Sequence, residues 1–304
     1  MLGSLRVAVA GVTGGLGHAI VSALLDTPEV EVVLLTRSSS STTDFSHFTS
    51  RGAILKSVDY SSIPNLTSAL EAVDTVICTI FASQPTINLI RASQAAGVRR
   101  FAPSDFSFSA TASARIDAHE PKRKVWAELK SDCKLEYTSF RNGIFMDYFV
   151  CGAPKPRHEG PFRMFPFVVD VAAGKAVIPG TGEEKVTFTR VRDVGRFVAA
   201  AVKFEGRWPE ELGMEGETMS YNEVVRDVED VIGRKIEVVY LGKEEIGKAL
   251  EEAREARDEI GVLVNQTFEL LADGVGSVEP VLNRLAPQVN VSSVKDLLAE
   301  YWST

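Results

Sequence analysis

The chain has 304 residues, of which 45% are hydrophobic and 24% charged, with a formal net charge of −8. That length allows one large domain or two closely joined ones, and the composition is that of a globular enzyme. The negative balance, with no basic stripe against it, excludes nucleic acid and anionic membrane surfaces as expected partners, because both require a basic field. Cys78, Cys133 and Cys151 are too widely spaced for a zinc site or a disulfide framework, so no metal is expected and a reducing compartment is the default. The N-terminal run has one Arg before a glycine-broken apolar stretch, position 2 is Leu, and the chain ends YWST. No signal peptide, lipid anchor or apolar run of about 18 residues is read, and a cytoplasmic protein is expected.

In chain order, the first half alternates two periods. LRVAVAG and EVVLLT are short, nearly continuous apolar runs, as strands buried on both faces of a parallel sheet should be. AILKSVD, DTVICTI, RRFAPS and LEYTSF continue the series. Between them the pattern predicts helices at 15–26, 62–73, 84–97 (closed by Gly97) and roughly 118–132. This βαβα rhythm predicts an α/β fold with a doubly wound parallel sheet over residues 1–150. The rhythm breaks near residue 150, where CGAPKPRHEGPFRMFPF is rich in Pro, Gly and aromatics and reads as a loop. KAVIPGTGEEKVTFTRV then predicts a strand pair around a GTG turn, followed by a helix from Asp193 through Val202. SYNEVVRDVEDVIG carries a capping box, Ser220 with Glu223, and a Gly233 stop. KEEIGKALEEAREARDEIG reads as one highly charged helix with a solvated face. Residues 151–304 are thus expected to form a smaller α+β substrate-binding region, with part of 170–204 returning to the first sheet. SSSSTT, residues 38–43, is the one low-complexity stretch.

The glycine turn after the first strand carries chemistry. Gly11, Gly14 and Gly17 are spaced GxxGxxG, with Gly15 between, after a strand and before a helix with Leu16, Ile20, Val21, Leu24 and Leu25 on one face. That context marks a dinucleotide site: backbone N–H groups approach a pyrophosphate at the positive end of the helix. Gly11, Thr13, Gly14, Gly15, Leu16 and Gly17 are the candidate cradle. Sites for NAD usually place an acid about 20 residues past the glycines, on the ribose 2′-OH. Here that position is Arg37, followed by Ser38 to Ser40. A guanidinium fork matches a phosphate, so NADP(H) is favoured over NAD.

No tyrosine is followed four residues later by Lys, as the catalytic pair of an ordinary short-chain dehydrogenase would require. Instead RRFAPSDFSFS (99–109), with GVTGGLG, LLTR and YTSFRNGIFMDYF, resembles the NmrA-like, isoflavone-reductase-like group of atypical short-chain dehydrogenases over roughly residues 5–150. VTFTRVRDVGRFVAAAV is a weaker echo. The resemblance implies an NADP-binding Rossmann domain, a substrate cleft against the C-terminal part, and an acid–base lysine. That lysine maps onto EPKRKVWAEL, where Lys122 and Lys124 both remain possible by alignment. Helix geometry separates them: Lys122, Val125, Trp126, Leu129 and Cys133 share one apolar face, while Lys124 lies opposite with Glu128 and Ser131. Lys122 is therefore the candidate, and His119, three residues earlier, is a candidate relay. Asp105 and Ser107 stand where the group often has Glu and Gly.

Strand ends place the remaining candidates. Phe81, Ala82 and Gln84 follow the fourth strand and Pro103, Ser104 and Phe106 the fifth, all beside the expected cofactor crevice. Asn142, Gly143 and Phe145 follow the sixth strand and are candidates to line the substrate cleft. The loop with Pro154, Pro156, His158, Phe162, Phe165 and Phe167 suits a hydrophobic lid over an aromatic ligand. The expectation is an NADPH-dependent reductase of a small aromatic or polyketide-like secondary metabolite, acting as a monomer or homodimer. A redox-sensing NADP-binding regulator without catalysis, and a non-redox cyclase or isomerase, are the alternatives.

Overall fold

The computed structural model describes residues 4–37, 44–132, 134–156, 160–162 and 164–303. Ser38 and the rest of the serine run, Cys133 and His158 lie outside the described residues.

The first half builds β1 (Leu5–Ala10), α1 (Gly15–Leu25), β2 (Val30–Arg37), α2 (Ser46–Thr49), β3 (Ile54–Val58), α3 (Ile63–Ala69), β4 (Thr75–Cys78), α4 (Ser83–Ala95) and β5 (Arg100–Ala102). Then follow α5 (Ala110–Ser113), a 3₁₀ turn at Asp117–His119, α6 (Glu120–Asp132) and β6 (Glu136–Tyr137). These six strands form one sheet in the order β3-β2-β1-β4-β5-β6, every neighbouring pair parallel. This is the doubly wound α/β Rossmann arrangement, and its order reverses between β1 and β4, where such sheets open a ligand crevice.

The alternation of β1 explains the two layers. Val7 and Val9 face a core with Ile20, Val21 and Leu24 of α1, while Ala8 and Ala10 face Leu66, Leu89, Ile90, Val125 and Leu129 of α3, α4 and α6. The first face is completed from the second half of the chain by Val194, Phe197 and Val198.

The second half contains β7 (Ser139–Arg141), β8 (Ile144–Phe145), β9 (Val169–Asp170), β10 (Lys175–Pro179), β11 (Lys185–Thr189) and α7 (Val191–Val202). It continues with β12 (Glu211–Gly213), β13 (Glu217–Ser220), α8 (Tyr221–Ile232), β14 (Glu237–Leu241), α9 (Lys243–Glu255), α10 (Glu259–Ala272), α11 (Val281–Leu285) and α12 (Val294–Trp302). Its strands make three small sheets, β14-β10-β9, β13-β11-β8 and β12-β7. α7 packs on α1 so closely that a Cβ at Gly195 would lie 2.5 Å from the Ala19 carbonyl oxygen. A separate core gathers Phe149, Phe188, Val224, Phe268 and Leu297. Among the described residues no helix is long and apolar enough to cross a membrane.

α8 has the expected capping box and ends at Gly233 in the left-handed conformation, φ 69°. Two expectations are corrected. The strands flanking the GTG turn do not pair with each other: β10 joins β14 and β9, and β11 joins β13 and β8. Gly180 and Gly182 do take positive φ, 74° and 79°, and Asn222 of α8 donates to the Thr181 carbonyl and the Glu183 carboxylate, but the ladders of both strands are taken by other partners. The single charged helix is in fact two, α9 and α10. Arg257 adopts φ 54° between them, and Asp258 caps α10 by accepting from the Gly261 N–H at 3.0 Å. Ile246, Leu250 and Ala253 of α9 are buried, so its face is not wholly solvated.

Candidate active site

The glycine turn sits at the sheet's switch point, and each glycine meets a different constraint. Gly11 has φ 90°, and a Cβ there would strike the Thr79 hydroxyl. That hydroxyl donates to the carbonyls of Ala10 and Gly11, tying the ends of β1 and β4 together. A Cβ at Gly17 would collide with the Gly11 carbonyl, so this glycine permits close packing of helix on strand. Gly14 differs: its backbone is extended (φ −86°, ψ 154°), and a Cβ would lie no nearer than 3.6 Å to the Gly11 oxygen. Packing within the protein therefore does not require glycine at 14, whereas a phosphate approaching the backbone would. α1 has no side-chain cap and no acidic residue in its first turn, leaving its positive end available to an anion. Thr13 and Gly14 are exposed; Gly15 is covered, with the Pro161 oxygen and Phe162 Cα 2.7 and 2.8 Å from where its Cβ would stand. Leu16 is half-buried against the α1–α7 core. Arg37 ends β2 and is exposed. These residues fit a dinucleotide carrying an added phosphate on its adenosine ribose.

Across the switch point, Phe81 follows β4 and is 50% exposed. Gln84, in the first turn of α4, donates to Asn88 at 3.0 Å. After β5, Pro103 and Phe106 are buried and Ser104 half-buried. Phe81, Pro103, Ser104, Asp105 and Lys122 line one small crevice.

Lys122 is brought there by α6. Val125 and Leu129 are buried, Trp126 is half-buried, and Lys122 itself is 11% exposed. Lys124 lies on the other side at 59% exposure, paired with Glu120 at 2.7 Å. The Lys122 Nζ stands 3.6 Å from Asp105 Oδ1. Burial, opposed by the Asp105 carboxylate and aided by the Arg141 guanidinium, lowers its pKa to about 8. His119 and Lys122 line a second, larger pocket, and burial, followed by the nearby Lys122 charge, lowers the His119 pKa to about 4. This histidine is therefore neutral near pH 7, and its Nδ1 has no hydrogen-bond partner.

Two pockets flank the segment 105–108. A charged one of about 420 Å³ is lined by Asp105, His119, Lys122, Trp126, Arg141 and Glu211 among others. An aromatic one of about 540 Å³ is lined by Phe106, Phe108, Phe145, Tyr148, Phe165 and Phe167, with Ile260, Leu263, Val264 and Thr267 from α10. Among the described residues, none that lines the aromatic pocket is charged. Phe145 and Tyr148 each contact Phe162, with ring centroids 5.3 and 5.6 Å apart. Phe106 lines the pocket and stacks on Phe140 at 5.7 Å. Asn142 is fully buried and lines neither pocket; its carbonyl accepts from the Thr189 hydroxyl at 2.9 Å.

Three contributors escape a sequence reading. Arg141 reaches Asp105 from β7, Thr79 ties the glycine turn, and α10 supplies one wall of the aromatic pocket. Only Arg141 leaves a trace, as a lone charge inside the apolar run of YTSFRNGIF.

The fold and the crevice define a dinucleotide-dependent oxidoreductase of the isoflavone-reductase-like type. The model of the NmrA-like family matches residues 4–286, and the chain belongs to that family. It is 31% identical over 245 residues to "Oxidoreductase BOA1" of Botryotinia fuckeliana, covering 76% of this chain and 77% of that one. It is 26% identical over 315 residues to "Phenylcoumaran benzylic ether reductase TP7" of Nicotiana tabacum, covering 97% and 98%. Among solved structures it resembles "AtPrR2 with NADP+ and (+)pinoresinol", with TM-score 0.81, 20% identity and 99% of each chain covered.

Proposed function

We propose that the protein is an NADPH-dependent reductase of a small, largely uncharged aromatic metabolite, with Lys122 as its proton donor. The observation that carries this reading is Lys122 itself: a nearly buried ammonium, its pKa lowered to about 8, at the carboxyl end of β5 beside the cofactor crevice. Support for the cofactor comes from the glycine turn, from Arg37, and from a structural neighbour whose name includes NADP+.

Bound NADPH supplies the hydride. The residues of this chain do the rest. The uncapped end of α1 and the backbone at Thr13, Gly14, Gly15 and Leu16 hold the pyrophosphate. Arg37, with Ser38 beyond it, reads the ribose phosphate. Phe81, Gln84, Pro103, Ser104 and Phe106 bound the crevice in which the nicotinamide half is oriented. Phe106, Phe145 and the aromatics around them seat the substrate ring and exclude water, with Asn142 supporting that wall from behind and His158 a candidate contact from the lid. Lys122 Nζ then gives its proton to the oxygen or nitrogen that becomes negative as the carbon accepts hydride. An ammonium of pKa about 8 does this well near neutrality, being still largely protonated yet more acidic than a free lysine.

The test uses NADPH deuterated at nicotinamide C4, each face in turn, with a panel of aromatic ketones, enones, imines and benzylic ethers. Deuterium appearing in one product class with the wild type, and absent with Lys122→Ala that still binds NADPH, is the expected result. An altered product without deuterium would replace reduction by isomerisation or cyclisation. Binding of NADPH with no product from any class would favour a sensor.

A further inference from the structure

Asp105 follows a tight turn in which its own N–H donates to the Pro103 carbonyl at 2.8 Å, so its position is set by the backbone. Its side chain is 3% exposed and its two oxygens are treated differently. Oδ2 accepts from Trp126 Nε1 at 2.7 Å and meets Arg141 Nη2 at 2.9 Å. Oδ1 has no hydrogen-bond partner and faces Lys122 Nζ at 3.6 Å. Lys122 and Trp126 are one turn apart on α6, so the carboxylate spans both residues of one helical face. Arg141 is itself 3% exposed, and the same Nη2 also meets Glu211 at 3.1 Å.

We propose that Asp105 is a positioning residue. Trp126 and Arg141 lock one of its oxygens so that the other aims at Lys122 and fixes the direction and charge of that ammonium. A carboxylate with both oxygens free would rotate, or pair bidentately with Arg141 and abandon the lysine. Here Oδ2 is doubly engaged, rotation is opposed by Trp126, and Oδ1 faces the lysine rather than Arg141. The arrangement also sets two opposed fields on Lys122, the anion of Asp105 and the cation of Arg141, in a site where burial leaves little solvent screening. The other ionisable groups lining the charged pocket are neutral His119 on the 3₁₀ turn, Arg123 and Lys130 on α6, Glu210, and Glu211 on β12, with Lys130 and Glu210 paired to each other at 2.6 Å. Arg123 is occupied by the carbonyl of Ile116 at 2.9 Å.

The proposal rests on Lys122 being the proton donor, and the experiment separates the two. The readout is the ionisation of Lys122 itself, followed by trace labelling with acetic anhydride across pH and peptide mass spectrometry, without cofactor or substrate. Asp105→Asn removes the anion and leaves the cation, so the midpoint should fall by about one pH unit or more. Arg141→Met removes the cation and leaves the anion, so the midpoint should rise by a similar amount. Asp105→Glu should return it toward the wild-type value. Structural damage does not move one residue's titration in opposite directions. Shifts of the same sign, or none in either variant, would overturn the clamp even if Lys122→Ala were inactive. Opposite shifts with a fully active Lys122→Ala would instead remove the lysine from the chemistry. Should Asp105→Asn fail to fold, Trp126→Phe serves as the second variant. It should lower kcat at least several-fold with KM little changed, and an unaltered kcat would count against the clamp.

Discussion

Gly14 and Gly17 belong to one spacing but answer to different forces, and alanine at each should separate binding from folding. At Gly17 the added methyl meets the Gly11 carbonyl, with Gly11 C and Val12 Cα at 3.0 Å, all of it backbone that cannot rotate away. Overpacking of this kind costs about 1–3 kcal/mol, and rigid neighbours place it near the top of that range. Alanine regains about 1 kcal/mol of helix propensity. The net loss is about 2 kcal/mol, or roughly 3 °C in Tm for a chain of this size. At Gly14 the nearest atom is 3.6 Å away and the backbone angles suit alanine, so only the N-cap preference is lost, about 0.5–1 kcal/mol. The same methyl, however, stands where a pyrophosphate must approach. NADPH affinity should fall about tenfold or more, since 1.4 kcal/mol of lost contact suffices. Thermal unfolding without ligand and fluorescence titration with NADPH measure the two effects. A Gly14→Ala protein that binds NADPH like the wild type would refute the assignment of the turn to phosphate.

Other expectations follow from single groups. Arg37→Ala should weaken NADPH by about 10- to 100-fold, the worth of charge-assisted hydrogen bonds to a phosphate, and leave NADH nearly untouched; equal losses in the two titrations would remove Arg37 from phosphate recognition. If protonated Lys122 is the donor, kcat/KM should be level below about pH 7 and fall tenfold per pH unit above about pH 8, whereas a basic role for the lysine would make it rise over that window. The depressed pKa of His119 means that the unfolded chain binds a proton between about pH 6.5 and 4 that the folded chain refuses. Stability should therefore fall on acidification through that window, and His119→Gln should flatten the slope; an unchanged slope in urea titrations would show that His119 is not the group responsible.

The parts legible in the sequence are those whose determinants lie within one element. Strand, glycines and amphipathic helix occur in 21 consecutive residues, and the 3.6-residue period alone places Lys122 inward and Lys124 outward. Failures occur where a distant residue decides. Two glycines announce a turn between β10 and β11, but the strands pair instead with β14 and β13, which come only later in the chain. The break between α9 and α10 hinges on one Asp cap and one left-handed Arg, concealed among charges that all suit a helix. Asp105 and Arg141 are 36 residues apart and meet because the chain leaves the parallel sheet after β6, so that β7 pairs with β12.

That departure also explains how one site accommodates a charged donor and an apolar ring. An ammonium set among the aromatics of the larger pocket would lose its hydration with nothing to replace it. Here the segment after β5 divides the two environments: Asp105 turns toward Lys122 and Arg141, while Phe106 and Phe108 turn toward the pocket lined by Phe145 and Tyr148. Lys122 keeps its counter-charge on one side of this partition, and under the proposed function the substrate ring would meet, among the described residues, apolar and hydroxyl-bearing groups on the other. A substrate with its own anionic group should bind worse than its neutral analogue, because no described residue lining the aromatic pocket is a cation. Comparing KM for an aromatic ketone with and without a ring carboxylate measures this directly, and tighter binding of the carboxylate would show that the charged pocket holds the substrate instead.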